Sequence, residues 1–134
     1  MKSVVMSSLL VCVSLALSGC NAADNSGSLV EVKDVQVSDP IRRNPDTFMT
    51  LDVRTPAEYA AGHIEGAINI DINNPDFENQ VALLSKDETY LVHCALNVEN
   101  GRSEKALNIM KDLGFTRLEN LVGGYEAWKV NDGS

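Results

Sequence analysis

Basic residues are scarce in this sequence. The 134 residues contain 11 Lys and Arg against 19 Asp and Glu, so the formal net charge is −8 at pH 7. Proteins that bind nucleic acids neutralise phosphates with lysine and arginine, and an acidic surface repels both nucleic acid and anionic lipid. The composition therefore argues against DNA or RNA binding, and we expect no nucleic-acid partner.

A long hydrophobic run is missing everywhere except at the start of the chain. Lys2 precedes an apolar stretch over 4–17, and Leu17-Ser18-Gly19-Cys20 follows it. The stretch is short for a membrane-spanning helix and is typical of a secretory signal. The four residues also resemble the lipobox of bacterial lipoproteins, which implies cleavage before Cys20 and a lipid on its sulfur. An ordinary signal cut nearby and an uncleaved anchor are the alternatives.

These signals predict three parts of the chain. Residues 1–19 form the signal peptide, 20–28 a flexible polar tether, and 29–131 a single domain. The resemblance implies a lipoprotein attached to the membrane through Cys20 and facing the periplasm. Asn21 after the lipidated cysteine resembles the sorting pattern that favours the outer over the inner membrane.

Cysteine is scarce as well, with three residues at 12, 20 and 94. If Cys12 leaves with the signal and Cys20 carries lipid, Cys94 has no intrachain disulfide partner. One thiol and the two histidines are too few for a structural zinc site, so we predict no metal. A leftover cysteine in an exported protein is either a buried, inert side chain or a reactive thiol.

Strand and helix patterns alternate along the domain. Strand patterns occupy 29–37, 48–53, 67–70, 89–93 and 115–121, and helical patterns begin near 56, 77, 103 and 125. The segment 38–46 is predicted to be a turn with at most a short helix. Alternation of this kind predicts an α/β domain with a mainly parallel sheet and helices on both faces.

Two polar segments follow strands of this predicted sheet. Asp52-Val53-Arg54 ends one strand, and His93-Cys94 ends another. Sites in such sheets lie beyond the carboxyl ends of the strands, so we expect these segments to meet there. A polar loop and the start of a helix at Ser103 follow Cys94. Backbone N–H groups at a helix N-terminus stabilise a thiolate, which favours Cys94 as a nucleophile.

Three segments together resemble the rhodanese family. They are Leu51-Asp52-Val53-Arg54-Thr55-Pro56-Ala57-Glu58-Tyr59 with Gly62-His63-Ile64-Glu65-Gly66-Ala67-Ile68-Asn69-Ile70, the strand ending in Cys94 with Gly101-Arg102-Ser103, and Gly123-Gly124-Tyr125-Glu126-Ala127-Trp128. The resemblance implies a rhodanese-like fold with a five-stranded, mainly parallel sheet. It also implies a sulfurtransferase that needs no cofactor.

The resemblance assigns roles to the residues around the cysteine. Cys94 takes a sulfane sulfur from a small anion such as thiosulfate, holds it as a persulfide, and passes it to a thiol or another thiophilic acceptor. The backbone of the loop and helix start cradles the substrate, and arginines assist. The substrate-binding residues expected on this basis are Arg54, Ala95, Asn100, Gly101, Arg102 and Ser103.

The loop after the cysteine departs from the family pattern. Seven residues separate Cys94 from Arg102, whereas most sulfurtransferase members have four and the related phosphatases five. Glu99 also places a carboxylate near the expected anion site, facing either inward or outward. Two alternative functions therefore stay open: a non-catalytic rhodanese-fold binding module, and a cysteine phosphatase.

Several side chains have a structural interpretation beside the functional one. Arg102 can line the anion site or pair with a carboxylate, and Ser103 can cap the helix or donate to the anion. Arg54 and Asp52 are expected mainly to hold the loop ends together. His63 is expected to be a hydrogen-bonded structural residue, and the side chain of His93 to point away from the thiol.

Overall fold

The computed structural model describes residues 30–96 and 98–131. The predicted signal peptide, the tether and Cys20 lie outside the described residues. The strands are β1 (Lys33–Val35), β2 (Met49–Asp52), β3 (Ile68–Asn69), β4 (Tyr90–His93) and β5 (Leu118–Leu121). The helices are α1 (Ser38–Arg42), α2 (Pro56–Ala61), α3 (Phe77–Ala82), α4 (Arg102–Asp112) and α5 (Gly124–Asn131).

The five strands form one sheet in the order β1-β5-β4-β2-β3, and all neighbouring pairs are parallel. The predicted α/β fold is therefore confirmed. β4 lies in the middle, and its four residues are buried, as expected for a central strand with both faces covered. In register, Asp52 of β2 lies opposite His93 of β4, so the two polar strand ends do meet.

Two hydrophobic clusters cover the two faces of the sheet. One contains Val92 and Cys94 and packs against α3 and α4 through Phe77, Val81 and Met110. The other is built around Val35, Leu91 and Leu121, with Tyr59, Tyr125 and Trp128 packed against it. Because successive strand residues face opposite sides, Leu91 and His93 lie on one face and Val92 and Cys94 on the other. The thiol is thus on the α4 side of the sheet.

The start of α2 follows directly from its sequence. Thr55 Oγ1 accepts a hydrogen bond from the Glu58 N–H, and the Glu58 carboxylate accepts one from the Thr55 N–H. Pro56 occupies the first helical position, where its missing N–H costs no hydrogen bond. Gly62 ends the helix with φ of 156°. The capping box and the glycine stop were both predicted.

The amino-terminal part differs from the prediction. Of the expected strand over 29–37, the structure describes 30–37, and within that range only Lys33–Val35 pairs with a neighbour, the strand β5. The next segment agrees with the prediction of a turn with at most a short helix, since Ser38–Arg42 forms one helical turn and Pro45–Thr47 a 3-10 turn. Within 30–96 and 98–131, no helix is both long and apolar enough to cross a membrane.

Candidate active site

Cys94 directly follows β4 and faces the start of α4. The residue is 2% exposed. Its Sγ atom lies 2.7 Å from the Leu96 carbonyl oxygen, to which the thiol donates, and 3.6 Å from Ser103 Oγ. A strand end that points at the first turn of a helix is the placement predicted for the nucleophile. Burial alone would equally suit an inert cysteine, so the surrounding backbone decides what this thiol can do.

The N-terminus of α5 fixes the backbone around the thiol. The Tyr125 N–H donates to the Cys94 carbonyl at 2.9 Å, and the Glu126 N–H donates to the Ala95 carbonyl at 3.1 Å. In a trans peptide the N–H points opposite to the C=O. The Ala95 and Leu96 N–H groups therefore point away from α5, and no described residue accepts a hydrogen bond from them.

A glycine makes this close approach possible. Gly124 has φ of 61°, and a Cβ atom there would lie 2.7 Å from the Cys94 carbonyl oxygen and 2.8 Å from that of Ala95. Only a residue without a side chain adopts this backbone at that distance without displacing the loop. The sequence predicted Gly123-Gly124 as the turn into the last helix and as part of a family motif, but this close approach to the Cys94 loop was missed.

The expected cradle residues Asn100 and Gly101 use their N–H groups locally. The Asn100 N–H donates to the Glu104 carboxylate at 2.6 Å, with Asn100 at φ of 55°. The Gly101 N–H donates to the Val98 carbonyl at 2.9 Å. Substrate binding by these two N–H groups, which stays a prediction, would require the local bonds to open. The first-turn N–H groups of α4 at Arg102 and Ser103 have no intrahelical acceptor and are the better-placed donors.

Ser103 is buried at 1% exposure, with its hydroxyl towards Cys94 Sγ. Of the two alternatives for Ser103, capping is not the one that the structure shows, because α4 already begins at Arg102. Gly101 occupies the N-cap position and makes no side-chain cap. The Ser103 hydroxyl is therefore available to the sulfur.

Arg102 pairs with a carboxylate of another helix. Its guanidinium donates to both Glu58 oxygens at 2.6 and 2.8 Å, in the two-pronged geometry that arginine and carboxylate favour. Hydrogen bonding to Arg102 lowers the pKa of Glu58 to about 2, and the same bond raises the pKa of Arg102. Anion binding by Arg102 stays a prediction, since the structure shows the pairing alternative.

Glu58 thus has two functions. It closes the capping box of α2 and, through Arg102, ties α2 to the start of α4. The second function was missed from the sequence. No local pattern signals it, because the two residues are 44 positions apart.

Arg54 lies at the end of β2 with its guanidinium buried. It donates to Asp52 through Nε and Nη2, at distances down to 2.6 Å, and Nη2 also donates to the Gly62 carbonyl at 2.8 Å. Its guanidinium carbon stacks 4.0 Å above the Tyr125 ring. These contacts agree with the expectation that Arg54 and Asp52 hold the loop ends together. A direct substrate contact of Arg54 stays a prediction.

His93 is fully buried on the face opposite the thiol, as predicted. Its Nδ1 lies 3.2 Å from the Cys94 carbonyl oxygen, and its ring stacks on Tyr125. Nε2 has no hydrogen-bond partner among the described residues and lies 3.9 Å from the Asp52 carboxylate. Burial lowers the pKa of His93 despite the nearby Asp52 charge. A neutral ring donates through Nδ1 and helps to orient the Cys94 peptide.

His63 has the structural role expected for it. Its Nδ1 lies 2.9 Å from the Tyr59 carbonyl, and its ring stacks on Tyr59 at 3.7 Å. With Tyr125 and Trp128 it lines a cavity of about 760 Å³. Cys94 does not line this cavity, so the chemistry is assigned to the loop and not to the cavity. Within the described part of the chain, no cluster of three or more His, Cys, Asp or Glu residues could hold a metal ion.

Comparison with known proteins agrees with this geometry. A family model described as "Rhodanese-like domain" matches residues 35–131. Thiosulfate sulfurtransferase 16, chloroplastic, of Arabidopsis thaliana is 40% identical over 91 residues, which cover 60% of this chain and 73% of that protein. Thiosulfate sulfurtransferase PspE of Escherichia coli (strain K12) is 32% identical over 73 residues, or 54% of this chain and 67% of that protein.

Other curated relatives are matched over only 50% of their length. Among solved structures, the crystal structure of a rhodanese-related protein from Thermoplasma volcanium superposes with a TM-score of 0.63 at 29% identity. That match covers 75% of this chain and 93% of the other. Sequence, fold and the strand-end cysteine agree: the chain belongs to the rhodanese family.

Proposed function

We propose that this protein is a sulfurtransferase that carries a sulfane sulfur on Cys94. The observation that carries the proposal is the cysteine at the end of the central strand, below the first turn of α4 and next to loop N–H groups without acceptors among the described residues. Relatives named thiosulfate sulfurtransferases support the reaction class.

The proposed reaction has two steps at one atom. The Cys94 thiolate attacks the outer sulfur of thiosulfate, a new S–S bond forms, and sulfite leaves with the electron pair of the broken bond. The resulting persulfide then gives its outer sulfur to a thiophilic acceptor such as cyanide, and the thiolate is restored. Free N–H groups and the α4 N-terminus favour the negative charge on the sulfur in both steps.

Thiocyanate formation from a sulfane donor and cyanide tests the proposal. We expect the wild-type protein to form thiocyanate and Cys94→Ala to give only the background. Ser103→Ala is the matched control, because it alters the pocket but keeps the nucleophile, and it should reduce the rate without abolishing it. Equal rates for wild type and Cys94→Ala with every donor would refute the proposal.

A non-catalytic binding module is the second candidate function, and one observation favours it. The Leu96 carbonyl oxygen occupies the space 2.7 Å from the thiol, and Arg102 is bound to Glu58. In this arrangement the loop is closed over the sulfur. Iodoacetamide alkylation of the native protein distinguishes the two, because an enzyme must expose the thiol during turnover. Protection as complete as that of a core cysteine would favour the binding module.

We further propose that the protein is an envelope lipoprotein anchored through Cys20. The support is the apolar stretch over 4–17 and the Leu17-Ser18-Gly19-Cys20 sequence. Metabolic labelling with palmitate should mark the wild type and not Cys20→Ser, and the label should fractionate with the outer membrane. A full-length, unlabelled wild-type protein would contradict this proposal.

A further inference from the structure

Two apolar side chains stand on the segment that covers the thiol. Leu96 and Val98 are each 55% exposed. The main-chain carbonyl of Leu96 contacts Cys94 Sγ. Val98 lies over the start of α4, since a Cβ on Gly101 would be 3.0 Å from Val98 Cγ2. Both residues lie between Cys94 and Arg102, in the segment whose seven residues exceed the usual family spacing.

The charged groups beside this segment do not favour a dianion. The Arg102 guanidinium is neutralised by Glu58, and that of Arg54 by Asp52. Glu99 adds an exposed carboxylate to the same loop. Thiosulfate carries two negative charges, and without an unpaired arginine its binding would have to depend on backbone N–H groups and the neutral Ser103 hydroxyl. A donor with less charge and an apolar group would be repelled less and would bury part of Leu96 and Val98.

We propose that Leu96 and Val98 are specificity-determining residues that select an organic sulfane donor with an apolar group and low charge over thiosulfate. The inference rests on the proposed function, because it concerns the donor of the same Cys94 reaction. A thiolate has no proton for the Leu96 carbonyl, so this carbonyl turns away when the sulfur is activated. The two side chains then border the opening.

The donor class can be represented by a thiosulfonate, R–SO₂–S⁻. The Cys94 thiolate attacks the sulfane sulfur, and the Cys94 S–S bond forms. The bond from that sulfur to the sulfonyl sulfur breaks, and the sulfinate R–SO₂⁻ leaves with the electron pair. One negative charge on each reactant becomes one on the persulfide and one on the sulfinate. Cyanide then removes the outer sulfur as thiocyanate.

Three donors separate the effect of charge from that of apolar surface. Methanethiosulfonate and benzenethiosulfonate have equal charge but different apolar groups, and thiosulfate has the higher charge. Each kcat/KM is divided by the rate of the same donor with free cysteine, which removes intrinsic reactivity. We expect the corrected kcat/KM for benzenethiosulfonate to exceed that for methanethiosulfonate about tenfold, since burial of one edge of the phenyl ring is enough to account for a tenfold preference. Thiosulfate should have the lowest corrected kcat/KM.

The variants Leu96→Asn and Val98→Thr nearly preserve side-chain size but add polarity. Each should lower the preference for the phenyl group severalfold. Leu83→Asn is the matched control, because Leu83 is 88% exposed at the end of α3, and it should keep the wild-type preference. Two variants keep the test valid if one of them fails to fold.

The possible outcomes separate this inference from the proposed function. Cys94-dependent transfer with equal corrected rates for the three donors, or a phenyl preference unchanged in both loop variants, overturns the inference and leaves the sulfurtransferase standing. No transfer from any donor overturns both. A phenyl preference that falls in the loop variants and persists in Leu83→Asn supports the inference.

Discussion

Replacement of Gly124 by alanine tests how the fold holds the reactive loop. Gly124 begins α5 and is buried, with a left-handed backbone at φ of 61°. An added Cβ would lie within 2.9 Å of three backbone atoms, two carbonyl oxygens and one carbonyl carbon, of Cys94 and Ala95. These atoms belong to main chain, which cannot move aside as a flexible side chain does. The substitution therefore pushes the loop away from α5.

The expected cost has two parts. A left-handed alanine is destabilised by about 1 kcal/mol relative to glycine. Overpacking against the fixed backbone adds about 1–3 kcal/mol. We therefore expect Gly124→Ala to lower the free energy of unfolding by about 2–4 kcal/mol. Displacement of the Cys94 peptide should also slow sulfur transfer by on the order of tenfold to a hundredfold, because small misplacements of reacting groups are costly.

Gly66→Ala is the matched control. Gly66 has φ of 77°, and no atom lies within 4 Å of its added Cβ, so this variant bears the backbone cost alone. Urea unfolding measures the stability of both variants, and thiocyanate formation measures the activity. If Gly124→Ala matched Gly66→Ala in both measurements, α5 would not hold the loop, and our description of the cradle would be wrong.

Two further predictions concern pH. The pKa of Glu58 is lowered to about 2 from its ordinary value of 4.5, so its charge stabilises the fold above pH 4.5, and this contribution is lost as the pH falls towards 2. Because the side chain is 35% exposed, we expect Glu58→Gln to lower the free energy of unfolding by about 1 kcal/mol at pH 7 and by progressively less in acid. Urea unfolding measures this difference between the variant and the wild type, and a difference that did not change with pH would contradict the ion pair. Burial lowers the pKa of His93, so the unfolded chain binds a proton below about pH 6.5 that the folded chain does not, and stability falls as the pH drops. His93→Asn keeps a donor near the Cys94 carbonyl, so it should remove this pH dependence of stability and retain more sulfur transfer than His93→Leu. His63→Asn is the control at an exposed histidine. Equal activity of the two His93 variants would exclude the donor role.

The parts of the fold that depend on interactions between residues close in the chain could be predicted from the sequence. Thr55, Pro56 and Glu58 define the start of α2 through their own backbone hydrogen bonds, and these three residues are neighbours in the chain. A cysteine directly after a strand apolar on both faces marks a strand end in a parallel sheet. These features depend on residues a few positions apart in the chain, so the local sequence pattern was enough to predict them.

Other features depend on distances that no local pattern encodes. The pairing of Arg102 with Glu58 requires α2 and α4 to approach, and the capture of the Cys94 carbonyl requires α5 to return to the loop. The orientation of the Leu96 carbonyl is a matter of loop dihedrals. Side-chain chemistry left two partners open for Arg102, an anion or a carboxylate, and only tertiary packing shows that Glu58 is within reach.

The same limit explains the error at the amino terminus. The alternation over 29–37 is a strand pattern, but pairing depends on a partner, and β5 offers one to only Lys33–Val35. In the segment 38–46 the prediction of a turn with at most a short helix agrees with the structure, because Ser38–Arg42 closes one helical turn despite Pro40. Proline in the first turn of a helix removes no needed hydrogen bond.

The central claim is that Cys94 carries sulfur, and the mass of the protein after exposure to a donor tests it most directly. The protein is incubated with thiosulfate or benzenethiosulfonate, desalted and measured intact, and a protease digest then locates any added mass. We predict a gain of one sulfur atom on the peptide that contains Cys94, its removal by cyanide, and no gain there in Cys94→Ser. An unchanged mass of that peptide with both donors, or a gain on it that persists in Cys94→Ser, would contradict the claim.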